Sequence, residues 1–159
     1  MSETTFATVD IAAQWGRLND SIIELVDIIP DDKLDWSPRE ELWNFRGILA
    51  HTAFVRHNWL GNIVKDGEPF EDSELFAAIA TKAGIKQALR DSWARTERFL
   101  SQQANVDEAY AGYDDVEGEK SLTGHWIAFH LLEHDIHHRA DIFHYLALLG
   151  MEHPQIGTP

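Results

Sequence analysis

Apolar residues recur at every third or fourth position along four long stretches of this chain, and no other feature constrains its fold as strongly. The first stripe runs up to Pro30, and its members are Ile11, Trp15, Leu18, Ile22, Leu25 and Ile29. This spacing is typical of an amphipathic α-helix that buries one face. Proline then ends the helix, because its ring cannot continue the hydrogen-bonding pattern.

Two more helices are predicted in the middle of the chain. The second begins near Asn44, whose side chain suits an N-cap, and runs to about Lys65. The third buries one face, which consists of Ile85, Leu89, Trp93, Thr96 and Leu100. Residues 73–80 form either its first turns or a separate short helix, because Gly84 weakens the join.

The fourth helix is predicted from Ser121, another candidate N-cap, to Leu149, with Gly150 in the left-handed position that follows a helix end. No segment alternates convincingly between apolar and polar residues, as a half-buried strand would. We therefore predict an all-α fold, a four-helix bundle that occupies residues 1–159 as a single domain. The connections between the helices are long, so the spacing alone leaves the helix order open.

Net charge and cysteine content exclude several classes of function. Thirteen Lys and Arg residues against 27 Asp and Glu residues give a formal charge of −14. Such an acidic surface repels phosphate backbones and anionic lipids, so we expect no nucleic-acid and no membrane partner. The chain has no cysteine, which excludes disulfides, thiolate metal ligands and a cysteine nucleophile. No secretory signal or membrane-spanning apolar run is readable, so we expect a cytoplasmic protein.

Histidines are concentrated on the predicted fourth helix. The chain has nine, and six of them lie between His125 and His144. On a helical wheel, one arc of about 100° collects four histidines and a carboxylate. These residues are His130, His134, His137, His138 and Asp141. The same face continues above and below with Ile127, Leu131, Tyr145, Leu148 and Leu149. A polar cluster within a buried face is destabilising unless something satisfies it.

The second helix has a matching inward histidine. His51 shares its face with Ile48, Phe54 and Val55, whereas His57 is rotated away by about 120°. Facing helices of a bundle build metal sites from inward side chains of this kind. We interpret four other histidines as surface or rim residues: His57, His125, His144 and His153. We interpret three tryptophans as packing residues: Trp15, Trp93 and Trp126.

These inward residues predict a metal centre. His134 and His138 are four residues apart, so their imidazoles lie on adjacent turns and can reach one ion. With His51 as the third ligand, a divalent cation would keep an open position for water or substrate, as catalytic sites do. Asp141 is the candidate catalytic carboxylate, or orients one of the imidazoles. Buried histidines that satisfy one another and nearby carbonyls without a metal are the alternative.

Three segments resemble the DinB-like (DinB/YfiT-like) family of metalloenzymes, and the resemblance covers most of the chain. Residues 34–38 read Leu-Asp-Trp-Ser-Pro, and residues 43–51 read Trp-Asn-Phe-Arg-Gly-Ile-Leu-Ala-His. Residues 134–141 read His-Asp-Ile-His-His-Arg-Ala-Asp, which is similar to the family's His-x-x-His-His-Arg-Gly-Gln. The resemblance implies a four-helix bundle in up-down-down-up order, a homodimer, and a divalent metal bound by His51, His134 and His138.

The resemblance also implies an activity. Family members with assigned activities are thiol S-transferases or isomerases that use low-molecular-weight thiols such as mycothiol or bacillithiol. This implies a small-molecule substrate and a small thiol as partners of the metal. Zinc and nickel both suit three imidazoles, and iron is compatible as well. The chain departs from the pattern at Asp141, where an amide is usual, and at Asn58, where relatives often carry an acid, so no single family reaction transfers directly.

Three alternatives follow from the same residues. The spacing His134-Asp135-x-x-His138 resembles the HExxH motif of zinc peptidases, with Asp in place of Glu. A non-catalytic bundle that binds a metal, a small ligand or a partner would need the same inward residues. A di-iron site is disfavoured, because no inward Glu-x-x-His pair occurs on two helices.

Overall fold

Four long helices form a bundle in the computed structural model, which describes residues 10–110 and 122–152. The helices are α1 (Ile11–Ile28), α2 (Phe45–Asn58), α3 (Asp72–Ala78), α4 (Lys82–Ser101), α5 (Gln103–Asp107) and α6 (Gly124–Leu148). A short 3₁₀ turn, Asp31–Lys33, follows α1, and α2 continues into a π-helical segment, Trp59–Val64. The strands β1 (Ala109–Tyr110) and β2 (Leu122–Thr123) pair in antiparallel fashion. The predicted all-α bundle is confirmed.

α1 packs against α4 and α6. Lys86, early in α4, donates to Asp27, late in α1, over 2.7 Å. Trp93, later in α4, packs against Trp15, early in α1, with ring centroids 5.5 Å apart. The later residue of α4 thus contacts the earlier residue of α1, so α1 and α4 are antiparallel.

α6 runs parallel to α1, because contacts between them advance together along both helices. The indole Nε1 of Trp15 donates to Asp135, and further along both helices Arg139 donates to the hydroxyl of Ser21. Parallel neighbours need a long connection between them, which the intervening helices supply.

α2 also packs against α4 and α6, so it lies diagonally across the bundle from α1. Phe45 at the start of α2 contacts Tyr145 near the end of α6, whereas Arg56 near the end of α2 binds Asp135 near the middle of α6. α2 is therefore antiparallel to α6. Taken in chain order, α1, α2, α4 and α6 run up, down, down and up, as the family resemblance implies.

The helix ends agree with the sequence at most positions. Asn44 caps α2 by accepting from the Gly47 amide over 2.8 Å, and Gly150 has a φ of 69° after α6. The expected start of α6 at Ser121 is wrong. α6 begins at Gly124, because the two preceding residues pair with β1 and Thr123 is the N-cap. Ser121 itself lies outside the described residues.

α3 is a separate helix, which settles the choice left open for residues 73–80. Thr81 caps the start of α4 by accepting from the Gly84 amide. A Cβ on Gly84 would lie 1.7 Å from the carbonyl oxygen of Ala78 at the end of α3. Only glycine allows two backbones to approach this closely. Gly84 therefore allows the start of α4 to lie against the end of α3.

The core lies where α1, α2, α4 and α6 meet, and the predicted first stripe is buried except at its first member, Ile11. Trp15 is buried as expected. The interpretation of Trp126 as a packing residue holds only in part, since its ring contacts those of Trp59 and His130 but is 44% exposed. Leu148 is 67% exposed on the face predicted to be apolar. Within the described part of the chain, no helix combines the length and hydrophobicity required to cross a membrane.

Candidate metal centre

Three histidines from two helices meet at the interface between α2 and α6, near the middle of α6. The ring centroid of His51 lies 4.8 Å from that of His134 and 5.1 Å from that of His138. The centroids of His134 and His138 are 4.4 Å apart, as expected for residues on adjacent turns. One ring nitrogen of each histidine lies within 4.8 Å of the corresponding nitrogens of the other two. We call this group the histidine triad.

His134 has an unusual environment. Both of its ring nitrogens are buried, and neither has a hydrogen-bond partner among the described residues. The closest carboxylate oxygen, Asp135 Oδ1, is 3.9 Å from Nδ1, which is too long for a hydrogen bond. Buried polar atoms without partners are rare, because each forfeits its hydration. A cation bound by a His134 nitrogen would remove this penalty, so the triad fits a divalent metal.

Trp43 closes one side of the triad from the loop before α2. Its ring meets that of His51 edge-on at 4.2 Å and stacks on that of His138 at 6.0 Å with an interplanar angle of 23°. These contacts restrict the rotation of both imidazoles. Trp43 belongs to the sequence segment that resembles the family, but its position beside the triad could not be read from periodicity, because it precedes the helix.

Asp141 and His138 form a carboxylate–imidazole pair. Asp141 Oδ2 lies 3.1 Å from His138 Nδ1 and 3.5 Å from Nε2 of the exposed His137. When Nδ1 of His138 carries the proton that Asp141 accepts, Nε2 keeps the lone pair that a metal requires. The structure thus places the predicted carboxylate beside the triad, in contact with one of its members.

Burial favours the uncharged form of two triad imidazoles, those of His51 and His138. It is the largest cause that lowers the pKa of His51 from 6.5 to about 4, and the neighbouring His134 and His138 contribute in the same direction. Burial also lowers the pKa of His138, with His134 adding to the effect and Asp141 opposing it. Neutral imidazoles are the form that binds metal. His51 and His138 are therefore in the ligand-competent form at neutral pH.

A buried ion pair lies directly beneath the triad. Arg56 and Asp135 are both 0% exposed, and Arg56 Nη2 donates to Asp135 Oδ2 over 2.7 Å. Trp15 Nε1 donates to the same oxygen over 2.6 Å, and Asn19 Oδ1 accepts from Arg56 Nη1 over 2.8 Å. Burial alone would raise the pKa of Asp135, but the Arg56 guanidinium holds it below its usual value. This network was not predicted from the sequence.

The peptidase-like alternative is wrong because of this network. In an HExxH site the acid between the histidines acts on water, whereas the Asp135 carboxylate is fully buried and held by Arg56 and Trp15. Asp135 has a structural role beneath the triad, not a role within it.

The histidines outside the triad differ in how exposed they are. His125 and His144 are exposed as expected, and His153 lies outside the described residues. His57 is half-buried: its ring stacks on Phe70 at 4.3 Å and its Nδ1 lies 3.2 Å from Arg95 Nη1. The interpretation of His57 as a surface residue therefore holds only in part.

His130 lies one turn before His134 but outside the triad. Its ring stacks on Trp126 with an interplanar angle of 8° and contacts Trp59. Burial lowers the pKa of His130, and the neighbouring His134 adds to this effect. The predicted polar arc thus divides into a triad with an aromatic cluster on one side and Asp141 with His137 on the other.

The model of the DinB family matches residues 1–159. The chain belongs to the DinB family. No protein of curated function matches this DinB-family chain in sequence.

Solved structures of DinB-like proteins share the fold. A DinB-like protein (YjoA) from Bacillus subtilis is 21% identical, with a TM-score of 0.67 over 92% of this chain and 96% of that chain. A DinB-like protein from Bacillus cereus is 14% identical, with a TM-score of 0.72 over 96% and 100%. YfiT from Bacillus subtilis, 16% identical with a TM-score of 0.66 over 96% and 95%, is described as "a probable metal-dependent hydrolase with an unusual four-helix bundle topology". At these identities the likeness shows the fold alone.

Proposed function

We propose that this DinB-family chain is a metal-dependent enzyme in which His51, His134 and His138 bind one divalent cation. The observation that carries the proposal is His134, whose two ring nitrogens are buried without a hydrogen-bond partner and face two further histidines. Three imidazole ligands suit zinc or nickel, and iron is compatible. The description of YfiT as a metal-dependent hydrolase supports this assignment.

The cation would supply a nucleophile, since it lowers the pKa of a thiol or water in contact with it toward neutrality. The chain has no cysteine, so a sulfur nucleophile would have to arrive as a small-molecule thiol. We propose transfer of such a thiol to an electrophilic substrate as the reaction, with hydrolysis by water as the related alternative.

The side chains around the triad would orient its imidazoles and limit the access of bulk water. Asp141 accepts from Nδ1 of His138 and so keeps the other nitrogen free to bind. Trp43 covers His51 and His138, which limits access of bulk water from that side. Asp141 is also the carboxylate closest to the triad that is partly open to solvent, and we propose that it accepts a proton from the incoming thiol or water.

Metal analysis of the purified protein tests the first step. We expect about one equivalent of zinc, nickel or iron per chain, as a three-histidine site holds a single ion. His51→Ala and His138→Ala should each abolish retention after dialysis, whereas His144→Ala, an exposed change on the same helix, should not. Equal metal content in all four proteins, or none in the parent, would contradict the proposed centre.

Turnover tests the second step. Metal-loaded protein should conjugate a small thiol to 1-chloro-2,4-dinitrobenzene or hydrolyse p-nitrophenyl acetate, and chelation should remove the activity until metal is restored. Metal binding by the triad without turnover of either substrate would instead favour the non-catalytic binding module.

A further inference from the structure

A cleft lies between α2 and α3 and opens directly beside the histidine triad. Its volume is about 500 Å³, which lies in the range of small-molecule sites. His51 belongs to both the cleft and the triad, and Trp43 lines the cleft while its ring contacts His51. A molecule held in this cleft would therefore lie next to the proposed metal ligands. We call it the α2–α3 cleft.

The walls of the α2–α3 cleft are mainly apolar. They include Leu42, Trp43, Ala50, Phe54, Leu75 and Phe76. Three of these large side chains are far from buried: Leu42 is 47% exposed, Trp43 is 50% exposed and Phe76 is 64% exposed. Large apolar side chains that gather around one concavity and remain in contact with water mark a binding surface. These three side chains add little to the buried core because they are largely exposed. Their position around one cleft therefore points to a ligand.

The charges around the cleft disfavour an anion. Among the described residues that line it, Arg46 is the single cation. Its Nε and Nη2 bind the carboxylate of Asp35 over 2.7 and 3.0 Å. Its Nη1 donates to the carbonyl oxygens of Ile79 and Ala80. The charge of the guanidinium is therefore compensated by Asp35, and its Nε, Nη1 and Nη2 groups already donate hydrogen bonds within the protein. It has no pair of donors left to bind the carboxylate or phosphate of a ligand.

Asp72 adds an exposed carboxylate at the rim, and the formal charge of the chain is −14. Both features repel an anionic group that approaches the cleft. Apolar walls and a compensated cation together suit a group that carries no charge. Burial of such a group gains the free energy of removing its hydrocarbon surface from water.

We propose that the α2–α3 cleft binds an uncharged alkyl or aryl group of the substrate, and so holds the reactive end of that molecule at His51. This proposal rests on the proposed function, because it assigns the cleft to the substrate of the histidine triad. It adds the class of substrate: a small molecule with an apolar, uncharged tail.

Binding of a homologous series of alcohols tests the proposal without any chemical step. The probes are 1-butanol, 1-pentanol and 1-hexanol, titrated into ¹⁵N-labelled metal-free protein and followed by amide chemical shifts. We expect shifts at residues 42–51 and 72–79, with Kd tightening up to about fourfold for each added methylene. Hexanoate, which has the same carbon chain and a charge, should bind at least tenfold more weakly than 1-hexanol. A Kd that does not depend on chain length, or equal binding of hexanoate, would overturn the proposal.

Two matched variants locate the binding. Phe76→Ser removes an exposed wall residue, and Phe129→Ser removes a phenylalanine of nearly equal exposure, 63%, on α6 and away from the cleft. Since both side chains are largely exposed, both variants should fold. Phe76→Ser should weaken the Kd of 1-hexanol at least threefold and leave metal content unchanged, whereas Phe129→Ser should change neither. Equal weakening in both variants would show non-specific binding and overturn the proposal.

The two proposals can fail separately. Alcohol binding in the cleft, together with a parent protein that retains no metal after metal loading and dialysis, would refute the proposed function and leave the cleft as an apolar binding site. Metal retention by the triad without alcohol-induced shifts at 42–51 and 72–79 would refute the cleft and leave the metal centre.

Discussion

Asp141 Oδ2 lies 3.1 Å from Nδ1 of His138, less than one turn earlier on α6. The pair fixes which imidazole nitrogen faces the centre of the triad. The group at this place is a carboxylate, which accepts from an imidazole and carries a charge that an amide would lack. The effect of the Asp141 carboxylate should be measurable as a change in metal affinity, and this measurement does not require the substrate to be known.

Replacing Asp141 by Asn should weaken metal binding about tenfold to a hundredfold, since the carboxylate that raises the basicity of His138 becomes a neutral amide. Competition with a chromophoric chelator measures the affinity. The matched control is Asp107→Asn, because Asp107 and His125 form an exposed pair at the same distance of 3.1 Å, far from the triad. An equal effect of both substitutions would show that only surface charge matters.

Replacing Asp135 by Asn should destabilise the protein by about 3–5 kcal/mol, because the Arg56 guanidinium stays buried without its counter-charge. Urea unfolding followed by circular dichroism measures the change. The double variant Arg56→Met with Asp135→Leu should recover much of the loss, because it removes both buried charges. A loss below 1 kcal/mol in the single variant would mean that the pair is hydrated in solution.

Replacing Gly84 by Ala should destabilise the protein by about 1–3 kcal/mol, despite the better helix propensity of alanine, because the new methyl group overlaps the Ala78 carbonyl. Gly16 provides the opposite case within α1. A Cβ there meets only Trp93, at an ordinary 3.5 Å, so Gly16→Ala should stabilise by about 0.5–1 kcal/mol. Thermal unfolding of the two variants should move in opposite directions, and a Gly84→Ala protein that is as stable as the parent or more stable would contradict the close approach of α3 and α4.

Lowering the pH should destabilise the protein partly through His57. Burial and the charge of Arg95 lower the pKa of His57 from 6.5 to about 4, with Arg56 adding to this effect and with Asp91 and Glu68 opposing it. The unfolded chain therefore takes up a proton between those pH values that the folded chain does not, so stability falls as the pH drops through this window.

The test compares unfolding free energies at about pH 7 and pH 5 in the parent, His57→Gln and the exposed control His144→Gln. His57→Gln should lose less stability than the parent over this interval, and His144→Gln should behave like the parent. If the parent and His57→Gln lose equal stability, His57 is protonated in the folded state.

The helices and the triad could largely be predicted because both depend on one-dimensional spacing. An apolar residue every three or four positions identifies the buried face, and a four-residue separation brings His134 and His138 together wherever that face points. His51 could be placed inward by the same rule. The identity of the metal, the thiol, the substrate and the dimer stay predictions, because none depends on spacing within a helix.

Positions near helix ends were predicted less well. Trp126 and Leu148 fall on the apolar face of α6, yet both are exposed near its two ends. Periodicity gives the direction of a side chain but not how far the neighbouring helices extend along the axis. The start of α6 was missed for a related reason, since the pairing of β1 with β2 involves only two residues from each strand.

The Arg56–Asp135 pair was missed although the sequence carries a signal for it. Asp135 follows Leu131 by four residues and precedes Ile142 by seven, so it lies on the stripe that those two buried residues define. A lone carboxylate on a buried stripe requires a cationic partner. Which of the chain's 13 Lys and Arg residues supplies the partner depends on helix order, which spacing alone left open.

The guanidinium of Arg56 has a consequence for the dynamics of the whole bundle. From α2 it reaches Asn19 on α1, Ser92 on α4 and Asp135 on α6, so one side chain joins all four long helices. Detachment of α1, α4 or α6 would break at least one hydrogen bond of this buried guanidinium. Amide protons beside Asn19, Ser92 and Asp135 should accordingly exchange with deuterium at one common rate, as a single cooperative unit.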